Sequence, residues 1–300
     1  MTNPLLPKFY RQRFILALLE QAGGGLSKMD LQKLLFLAHQ EAGFSYYDFV
    51  PYYYGCYSFQ AASDLETLKS LGWIAIGEKD VALINGLSLN FDLKSHEKNA
   101  LCRFMAAYSR YKGAELIQYV YQRYPYYAIH SKIAGDVVNI EINERIKNEK
   151  KLILKNGITL YTIGYEGMSF EKYANRLLKN GVRMLCDVRI NPISRKYGFS
   201  KGTLSRLLPR LGIDYLHIPE LGIISRKRKD LDGPSDYAKL FDEYRKTLPN
   251  KDIHLQNLGE ALKRFERIAL TCFEKDPSFC HRSCVSDYMK TRHNTKTVHL

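Results

Sequence analysis

From residue 158 onward the chain alternates short apolar runs with helical stretches, and this alternation constrains the fold more than any other feature. The runs at 158–163, 183–189, 215–218, 268–273 and 296–300 read as strands. Between them lie a helix capped by Ser169 and ending at Lys179, a second at 201–211, helical segments at 237–247 and 259–266, and a last helix at 282–292. Strands joined through helices cannot pair as simple hairpins. They predict a three-layer α/β domain over residues 151–300, with a mostly parallel sheet covered on both faces. Such sheets hold their ligands outside the carboxyl ends of the strands, so the residues that finish each run carry the most information.

Residues 1–150 follow another pattern. Apolar residues at helical spacing (Phe14, Leu18 and Leu19 among them) predict a helix from Phe9 to Gln21, stopped by Gly23-Gly24-Gly25. Ser27 is a good N-cap for a second helix through Ala42, and Ser58 for a third that ends before Gly72. The aromatic stretch 44–57 between them reads as irregular or extended. Residues 73–76 and 81–84 form a short hairpin around Glu78-Lys79-Asp80, and further helices are predicted at 94–112, 114–123 and 139–150. Helices followed by a two-stranded wing give a mainly helical, winged-helix-like domain. The charged stretch 143–151 lacks Gly and Pro, so the junction reads as a solvated helix rather than a flexible linker.

A chain of 300 residues fits two domains, each with its own core. Its apolar runs fall well short of the roughly 18 residues that span a bilayer, and Met1-Thr2-Asn3-Pro4 opens no signal-peptide pattern. A cytoplasmic protein without a membrane partner is expected. The six cysteines are too sparse for a disulfide framework and are expected as thiols. Charge is one-sided. Residues 1–150 carry 17 Lys and Arg against 15 Asp and Glu, whereas residues 151–300 carry 28 against 16. The positive field of the second half attracts polyanions, and DNA, RNA or a nucleotide is the natural partner; solubility alone is the plainer explanation.

The densest chemistry lies where Cys272-Phe273-Glu274 ends the fourth strand and Cys280-His281-Arg282 opens the last helix. Cys280 at a helix N-terminus beside His281 is a candidate low-pKa nucleophile. Thiolates and imidazole also suit zinc, but seven residues between the thiols and a His directly after Cys280 match no common zinc pattern, and Cys284 would be needed as a fourth ligand. Neither a metal nor a cofactor is expected. The remaining reading has the thiols packing the sheet while His281 and Arg282 orient carboxylates.

Other strand ends add groups. The first strand runs into Gly164-Tyr165-Glu166-Gly167, whose glycines admit a ligand to the backbone or simply make a turn. The second ends in Asp187-Val188-Arg189, followed by Ser194-Arg195. Residues two apart on a strand share a face, so Asp187 and Arg189 are neighbours: either a structural ion pair, or a catalytic carboxylate beside an anion-binding guanidinium. The third brings Glu220 to the same sheet edge, where two carboxylates can divide acid and base roles. His217 reads as a packed or surface residue. The run Arg226-Lys227-Arg228-Lys229 is either a solvated face or a phosphate contact.

Taken together, Thr162-Ile163-Gly164-Tyr165-Glu166-Gly167, Asp187-Val188-Arg189 with Pro192 and Ser194-Arg195, Gly198-Phe199-Ser200, Tyr215-Leu216-His217 with Glu220-Leu221-Gly222 and the Cys272-to-Arg282 motif resemble domain-of-unknown-function family 488 over about residues 158–292. Phe273 departs from the small residue expected between Cys272 and Glu274. The resemblance implies an α/β domain with these motifs around one cleft and brings no reaction with it. In the first half, Leu31-Gln32-Lys33-Leu34-Leu35, Tyr54-Gly55-Cys56-Tyr57-Ser58 and the helix ending before Gly72 resemble the Panacea (SocA-like) antitoxin domain family, with Cys56 in place of its usual Pro and Trp73 in place of Tyr. That likeness implies a binding or regulatory module with a protein partner.

The expected function is an enzyme on nucleic acid or nucleotides that hydrolyses a glycosidic or phosphoester bond in prokaryotic genome defence or repair. Its catalytic candidates are Asp187, Glu220, Glu274, Glu166, Cys280 and His281. Tyr165, Arg189, Ser194, Arg195, Arg226, Arg228 and Arg282 are the candidates for holding substrate. The alternative is a non-enzymatic regulatory protein of toxin–antitoxin type. Release of toxicity on deleting residues 1–150 would indicate an effector with a built-in restraint.

Overall fold

The computed structural model describes residues 6–84, 93–228, 231 and 233–300. The chain divides into two compact units, Met1–Lys150 and Lys151–Leu300.

In the first unit, α1 (Tyr10–Gln21), β1 (Gly25–Ser27), α2 (Lys28–Ala42), a hairpin of β2 (Val50–Tyr52) and β3 (Gly55–Tyr57), α3 (Phe59–Ser70) and a wing of β4 (Ile74–Ile76) and β5 (Asp80–Leu83) follow in order. Helices α4 (Ser95–Tyr108), α5 (Gly113–Arg123) and α6 (Ala134–Val137) follow, and α7 (Ile140–Ile153) runs across the boundary at Lys150. The Ser27 hydroxyl accepts the Asp30 N–H at 2.9 Å and that of Ser58 accepts the Ala61 N–H at 3.2 Å, so both predicted N-caps are formed. Strands pair antiparallel in the order β1-β5-β4, the sheet expected beside the helices of a winged-helix arrangement. Two pairings lay outside the sequence reading. The segment after the triple glycine is not merely a helix stop but adds β1 to the wing, and the aromatic stretch folds into the β2–β3 hairpin. Phe14, Leu34, Phe36, Leu68 and Trp73 lie in one core.

The second unit contains β6 (Thr159–Gly164), α8 (Phe170–Lys179), β7 (Met184–Asp187), α9 (Lys201–Leu207), β8 (Asp214–His217), α10 (Pro234–Thr247), α11 (Asp252–Phe265), β9 (Arg267–Cys272), α12 (Arg282–His293) and β10 (Lys296–His299). Helix α9 is shorter than predicted because Pro209, which has no N–H to give the α-helical ladder, opens a separate 3-10 turn, Pro209–Leu211. All five strands are parallel, in the order β10-β6-β9-β7-β8. Helices flank the sheet, as the alternation predicted. Leu160, Cys186, Leu270 and Ile268 pack on one face with Leu240, Leu258 and Val285 of α10, α11 and α12. On the other face Tyr173 of α8 donates from its hydroxyl to Thr271 Oγ1 at 2.8 Å.

This topology fixes where a cleft opens. The chain leaves β6 toward β7, on one side, and leaves β9 toward β10, on the other. Adjacent strands whose crossovers depart in opposite directions cannot both be covered at their carboxyl ends, so a crevice remains between β6 and β9. Among the described residues, no helix is long and apolar enough to cross a membrane.

Candidate active site at the strand carboxyl ends

Register places the site residues in one row. Gly164 of β6 pairs with Cys272 of β9, and Asp187 of β7 lies between Thr271 of β9 and His217 of β8. Because side chains alternate along a strand, Asp187 shares a face with Thr271, while Cys272 projects to the opposite face. The crevice therefore has two walls of different origin. Tyr165, Arg189, Asn191, Ser194, Arg195, Cys272 and Glu274 line its cavity of about 360 Å³.

The first wall is centred on Asp187, which is fully buried. Its Oδ1 accepts Arg189 Nε at 2.8 Å and the Arg189 backbone N–H at 3.1 Å. Its Oδ2 accepts Arg189 Nη2 at 2.6 Å and the Tyr215 hydroxyl at 2.8 Å. Both carboxylate oxygens are thus used, in a forked Arg–carboxylate pair of the strong, directional kind. Arg189 turns its remaining edge to the cleft, where Nη1 donates to the Tyr165 hydroxyl at 2.9 Å. Burial works against the Arg189 charge, but its hydrogen bonds and charge contact with Asp187 outweigh this and push its pKa up. Tyr165 is fixed in turn by stacking on Phe199, with ring centroids 4.3 Å apart. His217 Nε2 donates to the Arg189 carbonyl at 2.8 Å, so this histidine is a packed support. Exposed Arg195 flanks the wall, on a loop tied by Ser194 N–H to Ser200 Oγ at 3.0 Å.

The second wall holds Cys272, Cys280 and His281, all buried. His281 Nδ1 lies 3.8 Å from Cys272 Sγ and 4.0 Å from Cys280 Sγ. Its Nε2 donates to the Val188 carbonyl at 3.1 Å, a contact that turns Nδ1 toward the sulfurs. The Cys280 thiol donates toward Cys272 and holds it well below the ordinary thiol range, against burial and with help from His281. Burial and the neighbouring Cys272 thiolate push Cys280 up instead. The Glu274 carboxyl is raised by burial and by the neighbouring Cys272.

Several predicted residues prove to shape this wall rather than face the crevice. Arg282 is buried, and its guanidinium donates to the Glu274 carbonyl at 2.5 Å and to the Lys275 carbonyl at 3.0 Å. Glu166 accepts the Lys275 N–H at 2.9 Å, and its own N–H binds the Phe273 carbonyl at 2.9 Å. The loop after β9 is thereby fastened across β6. Gly164 makes that possible, since a Cβ there would sit 1.8 Å from the Glu274 carbonyl oxygen. The glycine read as admitting a ligand instead admits the protein's own loop.

Glu220 is not brought to the cleft. The chain turns after β8 through the 3-10 segment Pro219–Leu221, and the exposed Glu220 faces His254 Nδ1 at 3.5 Å. Arg226 is exposed and is not among the cavity residues; the Arg228 side chain and Lys229 lie outside the described residues. Cys284 sits in the apolar core of α10, α11 and α12, apart from the other two thiols. From the sequence, Phe199 and Tyr215 read only as parts of the family motifs and not as site residues. Tyr215 lies on a recognised strand two residues before His217, but only the β7–β8 register puts it against Asp187.

Fold and site define a three-layer α/β unit with a cationic, thiol-containing crevice at a topological switch point. Residues 169–289 of this unit match the family model described as Domain of unknown function DUF488. The matched stretch contains Asp187, Arg189, Arg195, Cys272, Glu274, Cys280 and His281, and starts just after Tyr165 and Glu166. No curated protein matches the chain.

Proposed function

We propose that residues 151–300 are an enzyme domain acting on nucleic acid or nucleotides by hydrolysis of a glycosidic or phosphoester bond, with a role in genome defence or repair. The observation that carries this reading is the Arg189 fork, clamped by Asp187 and turned with Tyr165 into a crevice whose opposite wall carries Glu274. A pre-oriented guanidinium is suited to hold a phosphate or a developing negative charge without reorganisation during the reaction. Arg195 adds a second cation at the rim, and the Ser194 hydroxyl lines the crevice beside it. Glu274 takes the acid–base role across the substrate. Asp187, with both oxygens engaged, acts through Arg189 as a positioning residue, and Cys280 and His281 support the wall behind Glu274. The excess of Lys and Arg in this half favours approach of a polyanion. Residues 1–150, winged-helix-like and similar to an antitoxin domain in sequence, serve as the binding or regulatory module with a protein partner.

The test is binding and turnover of single- and double-stranded DNA, RNA and mononucleotides by the full-length protein at low salt. Affinity that falls steeply as salt rises, with turnover abolished in Glu274→Gln while binding persists, supports the reading. Absence of binding to every one of these ligands overturns it.

A further inference from the structure

We infer that Cys272, Cys280 and His281 form a binding site for a thiophilic divalent cation, zinc by preference, in the wall of the crevice. Their donor atoms all lie within 4.8 Å of one another. In a tetrahedral zinc site, Zn–S bonds of about 2.3 Å and Zn–N bonds of about 2.0–2.1 Å put sulfur and nitrogen about 3.6 Å apart. The His281 Nδ1 separations of 3.8 Å and 4.0 Å are within a few tenths of that spacing, so an ion draws the donors inward slightly without rebuilding the fold.

The surroundings match what such a site needs. The Val188 carbonyl at 3.1 Å accepts the Nε2 proton of His281 and presents Nδ1 as the donor, the outer contact by which metal-ligating histidines are oriented. The Tyr244 ring packs nearly perpendicular to the imidazole, with centroids 5.8 Å apart, and restricts its turning. The next residue, Arg282, is buried and tied to the Glu274 and Lys275 carbonyls, which fixes the loop that separates Cys272 from Cys280. Three protein donors leave one position of a tetrahedron free. Cys272 lines the cavity beside Glu274, so the cluster is reached from the crevice on that side. Zinc sites with three protein ligands and one position open to water or substrate are the catalytic kind. The linear spacing of the cysteines gave no hint of this. One sulfur comes from a strand end and the other donors from a helix entry, and the loop brings them together.

The proposal goes beyond the hydrolase reading and stands apart from it, because metal uptake is measured without any nucleic acid. Full-length protein, reduced and stripped with chelator, is titrated with zinc and separately with cobalt, then analysed for metal content and by absorption. The expected result is about one equivalent per chain, with a cobalt–thiolate charge-transfer band, and at least a tenfold loss of affinity in Cys272→Ser, Cys280→Ser and His281→Asn. Cys284→Ala, which removes the nearby thiol outside the cluster, should keep the full equivalent. The cobalt band of the unmutated protein reports thiolate ligation even if a variant fails to fold. Folded, reduced protein that takes up no more than about a tenth of an equivalent overturns the proposal. So does metal uptake unchanged in Cys272→Ser and Cys280→Ser, or a Cys272–Cys280 disulfide that forms equally in the presence of zinc. Metal bound without binding to any nucleic-acid ligand would leave this site standing and remove only the hydrolase reading.

Discussion

The two walls of the crevice come from opposite faces of one sheet and treat their polar groups in opposite ways. On the Asp187 side, both carboxylate oxygens have two donors each, and the charges of acid and base cancel in place. On the Cys272 side, two thiols and an imidazole share contacts that are long by hydrogen-bond standards. A saturated network holds geometry. An undersupplied one retains capacity to bind or react. The difference separates the residues that position from those available for chemistry, although both sets stand at strand ends where the sequence alone ranks them alike.

The comparison is broken most severely by removing the charge that clamps Arg189. Asp187→Ala leaves a buried guanidinium without its carboxylate, and a stability loss of about 3–5 kcal/mol is expected in denaturant titration. A loss below about 1 kcal/mol would mean that the pair is solvated and that Asp187 is available as an acid or base. Gly164→Ala tests how tightly the second wall is fastened. Its new methyl collides with the Glu274 carbonyl, so the loop must move, and a loss of about 2–3 kcal/mol is expected. Gly202→Ala, where the added methyl meets open space, should change stability by less than about 1 kcal/mol. Equal effects of the two substitutions would show that the loop does not rest on β6. Tyr215→Phe is gentler: it deletes one of four donors to Asp187 and should cost about 1.5 kcal/mol, leaving ligand affinity nearly unchanged if the wall only holds geometry.

The sheet was legible because apolar runs and capped helices obey local rules, and the Asp187–Arg189 contact because a spacing of two fixes a shared strand face. What joins strand to strand was not legible. Parity along β9 says nothing about parity along β7 until register is known, so Cys272 and Asp187 read as one cluster rather than two faces. Glu220 was misplaced for a similar reason: the turn Pro219–Leu221 carries it to His254, 34 positions away in sequence. Gly164 was visible as a turn glycine, but the loop that fills its missing Cβ arrives from residues 274–275. Cys280 and His281 were visible as candidate ligands, yet regular metal spacings describe hairpins and helices, and here an eight-residue step runs from a strand end to a helix start.

The central claim is that the crevice, rather than a diffuse basic surface, receives the anionic ligand. Charge reversal at two exposed arginines tests it directly, since both change the net charge equally. Arg195 lines the crevice, whereas Arg210 lies in the turn that leads into the amino end of β8, at the opposite edge of the sheet. In fluorescence anisotropy with a labelled oligonucleotide at fixed low salt, Arg195→Glu should weaken binding about tenfold or more and Arg210→Glu less than about twofold. Equal losses from the two reversals would contradict the account.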